Sequence, residues 1–152
     1  MKEIAGKESS SFKVLLVDDI SLNLLLLDKM LKPFDFQIVK ASGGREALQE
    51  VQKRWHTPDQ IDLAIVDLMM PEVDGFQVIE SLRKGYEMEG NAVPPQDKTA
   101  LPLIILSGLS FVEDRKKGMA LGANHYLTKP IVMNKLYDIV TQLLTEKVEA
   151  EK

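Results

Sequence analysis

The stretch Leu63-Ala64-Ile65-Val66-Asp67-Leu68-Met69-Met70-Pro71 decides the fold. An apolar run with no polar alternation meets a carboxylate, and a proline four residues later ends the segment. Such a run reads as a strand buried on both faces, the kind found in parallel sheets covered by helices. Asp67 then stands where the strand ends. In open α/β sheets the working site lies outside the carboxyl ends of the strands, so a carboxylate at that point is a candidate for chemistry.

Other apolar runs end in the same way. Phe12-Lys13-Val14-Leu15-Leu16-Val17 runs into Asp18-Asp19, Leu103-Ile104-Ile105-Leu106 into Ser107-Gly108, and Tyr126-Leu127-Thr128 into Lys129-Pro130. If these strands are parallel, three acids, a hydroxyl and a lysine gather on one edge of the sheet. Clustered carboxylates attract a hard divalent cation, and Mg²⁺ takes oxygen ligands from one or two carboxylates, water and phosphate. A lysine and a hydroxyl beside that ion would complete a cradle for a phosphoryl group.

Between these strands lie helical patterns. They are expected over about Leu22–Lys32, from Ser42 as cap to about Trp55, over Phe76–Lys84, from Ser110 as cap to Leu121, and over Val132–Lys147. Phe36-Gln37-Ile38-Val39 supplies one more strand. Alternation of strands and helices makes right-handed βαβ units with helices on both faces of the sheet. The expected fold is a doubly wound five-stranded parallel α/β domain. Residues 1–11 are polar and are expected to be a disordered lead-in. The domain proper spans 12–147, with 85–100 as an insertion loop holding Gly85, Gly90, Pro94 and Pro95, and 148–152 form a charged tail. The first helix carries four consecutive leucines, Leu24 to Leu27, which subtend more than one face, so at least one should point outward.

Composition narrows the function classes. The net charge is −4 and the 152 residues include no cysteine and two histidines. Disulfides and thiolate metal sites are thereby excluded, His56 and His125 do not suggest a zinc site, and a nucleic-acid surface is not expected to dominate. No apolar run is long enough to span a membrane. A cytoplasmic location is expected, with no nucleic-acid or membrane partner.

The set Val17-Asp18-Asp19, Asp67-Leu68-Met69-Met70-Pro71 with Asp74-Gly75, Ser107-Gly108, and Tyr126-Leu127-Thr128-Lys129-Pro130 resembles the receiver domain of two-component response regulators, over roughly residues 12–146. The resemblance implies the flavodoxin-like strand order 2-1-3-4-5, for which a protein of this family is a standard example. It implies Asp67 as phosphorylation site, with Lys129 and Ser107 as its partners. Mg²⁺ would be held by Asp18, Asp19, Asp67 and the backbone carbonyl of Met69. Ser107 and Tyr126 would form the switch. The implied partners are a histidine kinase or histidine phosphotransfer protein and a downstream protein target. Homodimer formation stays open. Such a module takes a phosphoryl group from phosphohistidine and is not otherwise an enzyme. It would stand alone or belong to a hybrid histidine kinase, and no output domain is expected within this chain. Met69 and Leu109 stand at positions that are often polar in receivers losing phosphate quickly, which implies slow dephosphorylation here. A metal-dependent phosphatase with an aspartate nucleophile would place a second acid two residues after Asp67, where this chain has Met69.

Overall fold

In the computed structural model, residues 3–152 are described, and they open with two short strands, β1 (Glu3–Ile4) and β2 (Lys7–Glu8). There follow β3 (Lys13–Val17), α1 (Ser21–Met30), β4 (Gln37–Ala41), α2 (Gly44–Lys53), β5 (Leu63–Asp67) and α3 (Gly75–Lys84). The chain continues through β6 (Tyr86–Met88), β7 (Asn91–Val93), β8 (Leu103–Ser107), α4 (Val112–Leu121), β9 (His125–Thr128) and α5 (Met133–Ala150). The five long strands form one parallel sheet in the order β4-β3-β5-β8-β9, the expected doubly wound topology.

Every residue of β5 and β8 is buried, as their continuous apolar runs require. Alternate side chains serve two cores. Leu16, Ile65 and Leu106 pack with Leu24 and Leu27 of α1 and Leu136, Val140 and Leu144 of α5. Leu15, Val66 and Ile105 pack on the other face with Ala47 and Leu48 of α2 and Val78, Ile79 and Leu82 of α3. Asp67 continues the β5 alternation onto the α1/α5 face.

The lead-in expected to be disordered is folded from Glu3 onward; Met1 and Lys2 lie outside the described residues. β1 pairs with β2, and Ile4, 2% exposed, enters the α1/α5 core. A 3-10 turn at Ser9–Ser11 then feeds β3. One apolar side chain in a polar stretch has no periodicity; here its burial acts together with the β1–β2 pairing, the Ser9 hydroxyl donating to Phe34 O and the Gln37 amide donating to Ser10 O.

Residues 85–100 also differ from the expected loop. β6 and β7 form a hairpin in which Tyr86 faces Val93. Its two connecting residues, Glu89 and Gly90, both have positive φ (53° and 79°), the backbone that suits the twist of a two-residue hairpin. Val93 is buried in the α2/α3 core, and the Tyr86 hydroxyl donates to Leu48 O at 2.8 Å. Behind the hairpin, the Arg83 guanidinium donates to the carbonyls of Gln96 (2.9 Å), Leu101 (2.7 Å) and Gly122 (2.8 Å), and to Asn124 Oδ1 (2.9 Å).

Helix ends shift by a few residues. Ile20, Gly43 and Phe111 occupy the N-cap positions of α1, α2 and α4, so Ser42 and Ser110 do not cap; Ser42 instead donates to Glu46. The 148–152 tail is largely helix, because Val148 is buried and carries α5 on to Ala150.

Candidate functional site at the carboxyl edge of the sheet

Parallel register brings the expected residues together. Val17 pairs with Val66, Asp67 with Leu106, and Ser107 with Thr128, so Asp18, Asp67, Ser107 and Lys129 leave the sheet at one level. Asp18 is buried, and its Oδ1 accepts from Ile20 N at 2.9 Å, which turns the chain into α1. Asp19 is exposed. Asp67 is 8% exposed. Lys129 Nζ stands 3.5 Å from Asp18 Oδ2 and 3.5 Å from Asp67 Oδ1, so one cation is shared by two carboxylates.

The loop after β5 is tightly held. Gly75 N donates to Leu68 O at 3.0 Å, and a Cβ on Gly75 would lie 2.5 Å from Asp67 O, so only glycine lets α3 start this close to the site. Asp74 and Gln77 form a capping box, each side chain accepting from the other's backbone N–H at 2.9 Å. The local signal for it in the sequence is Asp-x-x-Gln ahead of the apolar residues of α3. Met69 lies at the rim with its side chain 64% exposed.

Ser107 is fully buried; its Oγ accepts from Leu109 N at 3.0 Å, and its carbonyl accepts from Lys129 N at 2.7 Å. The space a side chain would take at Gly108 is open. Lys129-Pro130 is a cis peptide. Tyr126 is buried, with its hydroxyl donating to Leu109 O at 2.9 Å. From α4, Arg115 lies over the Tyr126 ring, a contact no sequence pattern signals.

One oxygen from each of Asp18, Asp19 and Asp67 can come within 4.8 Å of the others. Three hard oxygen donors, one of them exposed so that water can complete a shell, fit the chemistry of Mg²⁺. Without a cation the carboxylates are underneutralised. Burial first, and the Asp18 charge second, push the Asp67 carboxyl up to about 6 against the opposing pull of Lys129.

Beside the carboxylates, a cleft of about 240 Å³ opens between α1 and the β9–α5 loop, lined by Leu26, Leu27, Met30, Leu106 and Ile131 with Asn23 among them. Around the same edge Ile20, Leu22, Leu25 and Leu26 are exposed, as are Phe111, Val112, Val132 and Met133. Of the four consecutive leucines, Leu24 and Leu27 face the core and Leu25 and Leu26 face outward. Among the described residues, no helix is long and apolar enough to cross a membrane.

A doubly wound sheet with three acids, a hydroxyl and a lysine at its carboxyl edge defines the receiver class. The response regulator receiver domain model matches residues 14–141, and the chain belongs to this family. It is 33% identical over 147 residues to the two-component response regulator ARR11 of Arabidopsis thaliana, covering 97% of this chain and 25% of that protein. It is 32% identical over 128 residues to the sensor protein GacS of Pseudomonas syringae pv. syringae, covering 84% of this chain and 13% of that one. The chain thus spans a quarter or less of these two relatives. The chemotaxis protein CheY4 of Vibrio cholerae superposes with a TM-score of 0.68 at 26% identity, over 87% of this chain and 98% of that one. As a receiver domain of two-component signalling, it implies a histidine kinase or a phosphotransfer protein as partner.

Proposed function

We propose that Asp67 is the phosphoacceptor of this receiver and that it takes its phosphoryl group from a phosphohistidine. The observation that carries the reading is Lys129, equidistant from Asp18 and Asp67 beside a fully buried Ser107. An Asp67 oxygen attacks phosphorus as the phosphorus–nitrogen bond breaks, the imidazole leaves, and an acyl phosphate results. Lys129 exchanges its pairing with Asp67 for the phosphoryl oxygens, and Ser107 Oγ–H donates to one of them. Held by Asp18, Asp19, Asp67 and the Met69 carbonyl, Mg²⁺ would offset the charge of the arriving phosphoryl group. Asp18, fixed by Ile20 N–H, keeps its second oxygen turned to the site.

The exposed apolar side chains of α1 suit a helical partner that must bring a histidine to Asp67. Tyr126 and Ser107 form the switch that reports phosphorylation to a downstream protein at the α4, β9 and α5 face. The module acts only on itself, in the cytoplasm. Its acyl phosphate is long-lived, because neither Met69 nor Leu109 can orient an attacking water.

Intact mass after incubation with Mg²⁺ and acetyl phosphate tests the proposal. A gain of roughly 80 Da on the native chain and none on Asp67→Ala is expected. A gain on both would place the acceptor elsewhere, and none on either, with phosphohistidine donor also failing, would make the chain a phosphate-independent binding module.

A further inference from the structure

We propose that Met69 is a site of oxidation, and that its sulfoxide shortens the life of the phosphoryl group on Asp67. The inference rests on the reading of Asp67 as phosphoacceptor and adds an oxidant as a second input to the same site.

Met69 owes its exposure to its neighbours. Leu68 (1% exposed) and Met70 (8%) both enter the α2/α3 core, so the side chain between them is turned away from that core. At 64% exposed it is the most accessible of the described methionines; Met133 and Met119 follow at 45% and 37%, and Met30 and Met88 are half-buried. Oxidation follows access, so a peroxide should take Met69 early and spare Met70 beside it. The backbone that carries Met69 is pinned. Gly75 N–H donates to Leu68 O, and a Cβ on Gly75 would lie 2.8 Å from Leu68 Cα. A polar atom added to Met69 therefore starts from a fixed backbone position at the rim, two residues from Asp67.

The oxidation balances with hydrogen peroxide alone. The thioether sulfur attacks one peroxide oxygen, the oxygen–oxygen bond breaks, and the sulfoxide forms as water leaves. Sulfur loses two electrons and the peroxide gains them. The change at the rim is chemical: a thioether is a weak acceptor, whereas a sulfoxide is polar and presents an oxygen. Hydrolysis of the acyl phosphate needs a water aimed at phosphorus, and Gly108 leaves the approach open. Leu109 offers that water no hydrogen bond, and neither does reduced Met69. The sulfoxide oxygen accepts one from the water and turns its lone pair towards phosphorus. The water oxygen then bonds to phosphorus as the bond to Asp67 breaks, inorganic phosphate leaves, and the carboxylate is restored. A sulfoxide is neutral, so it orients the water without taking its proton. One such hydrogen bond is worth a rate factor of roughly 3 to 10. Methionine sulfoxide reductases return the sulfoxide to the thioether, which makes the change reversible.

The test treats the full chain with hydrogen peroxide, removes the peroxide with catalase, and maps the added oxygen by peptide mass. The chain is then phosphorylated with Mg²⁺ and acetyl phosphate and desalted, and decay of the phosphorylated mass is followed. Sulfoxide should appear at Met69 ahead of Met70, and the half-life should fall roughly 3- to 10-fold. Methionine sulfoxide reductase, applied before phosphorylation, should restore it. The ratio of half-lives before and after peroxide is read within each protein, so any effect of a substitution on the starting rate cancels. Met69→Leu should bring that ratio to one, and the double variant Met119→Leu, Met133→Leu should keep it. Met69 left unoxidised where Met119 and Met133 are oxidised overturns the inference. So does a half-life that is unchanged or longer with Met69 oxidised, and so does a shortening that survives in Met69→Leu. A chain that gains no phosphate before oxidation overturns the phosphoacceptor reading instead, and the peptide map still decides whether Met69 is the oxidised residue.

Discussion

Replacing Asp67 by asparagine should stabilise the metal-free protein, although it destroys the acceptor. Burial and the Asp18 charge raise the Asp67 carboxyl from 3.8 to about 6 in the folded chain. Between those two values the folded protein holds a proton that the unfolded chain releases. Stability therefore falls as pH rises through this window, and the full cost is present above pH 6. At about 1.4 kcal/mol per unit the whole shift is worth about 3 kcal/mol. Water reaches the site over exposed Asp19 and screens part of it, leaving about 1–2 kcal/mol. Asparagine has nearly the same shape and no charge, and Lys129 keeps Asp18 at 3.5 Å. The assay is urea unfolding in chelator, followed by the fluorescence of Trp55, the sole tryptophan. At pH 8, Asp67→Asn should be more stable by about 1–2 kcal/mol, or roughly 3–6 °C in Tm. The gap should narrow as pH falls through this window and close only below pH 3.8. Excess Mg²⁺ should also close it, by stabilising the native chain through binding, which is worth about 2.7 kcal/mol at a hundredfold excess over Kd. A variant no more stable than the native chain at pH 8 in chelator, or a gap that ignores pH, refutes the account of charge strain at this site.

Three further outcomes follow from particular contacts. Arg83→Met strands the carbonyls of Gly122, Gln96 and Leu101 and the Asn124 side chain, so chemical denaturation should show a loss of about 2–4 kcal/mol; a neutral result would mean these groups find water. Ile4→Ala should cost about 2–3 kcal/mol, whereas a truly disordered lead-in would tolerate it without change in the unfolding midpoint. Met69→Asn places an amide at the site rim and should shorten the phosphoryl half-life roughly tenfold, measured by decay of the phosphorylated mass; an unchanged half-life would locate the protection of the acyl phosphate elsewhere.

The elements that were legible in advance share one property: their evidence is local and their environment uniform. β5 and β8 are buried along their whole length, so composition alone reports them, and parallel topology then carries Asp67, Ser107 and Lys129 to one edge. The N-terminal hairpin failed that condition, since its one buried apolar side chain, Ile4, joins a core assembled from α1, the sheet and α5, as far along the chain as Val148. The β6–β7 hairpin failed it differently. Its strands are three residues long, too short for alternation to register, and its signal was the Glu89-Gly90 pair whose positive φ closes the turn. At the site, the acids, hydroxyl and lysine could be named because each terminates a strand. Arg115 could not, because it lies mid-helix in a run of charges that reads as solvated surface, and only the docking of Gly118 on the sheet brings it over Tyr126. Strand ends thus disclose the chemistry that the edge can perform. Contacts made from helix α4 stay hidden, because its own sequence shows almost no preference for a face.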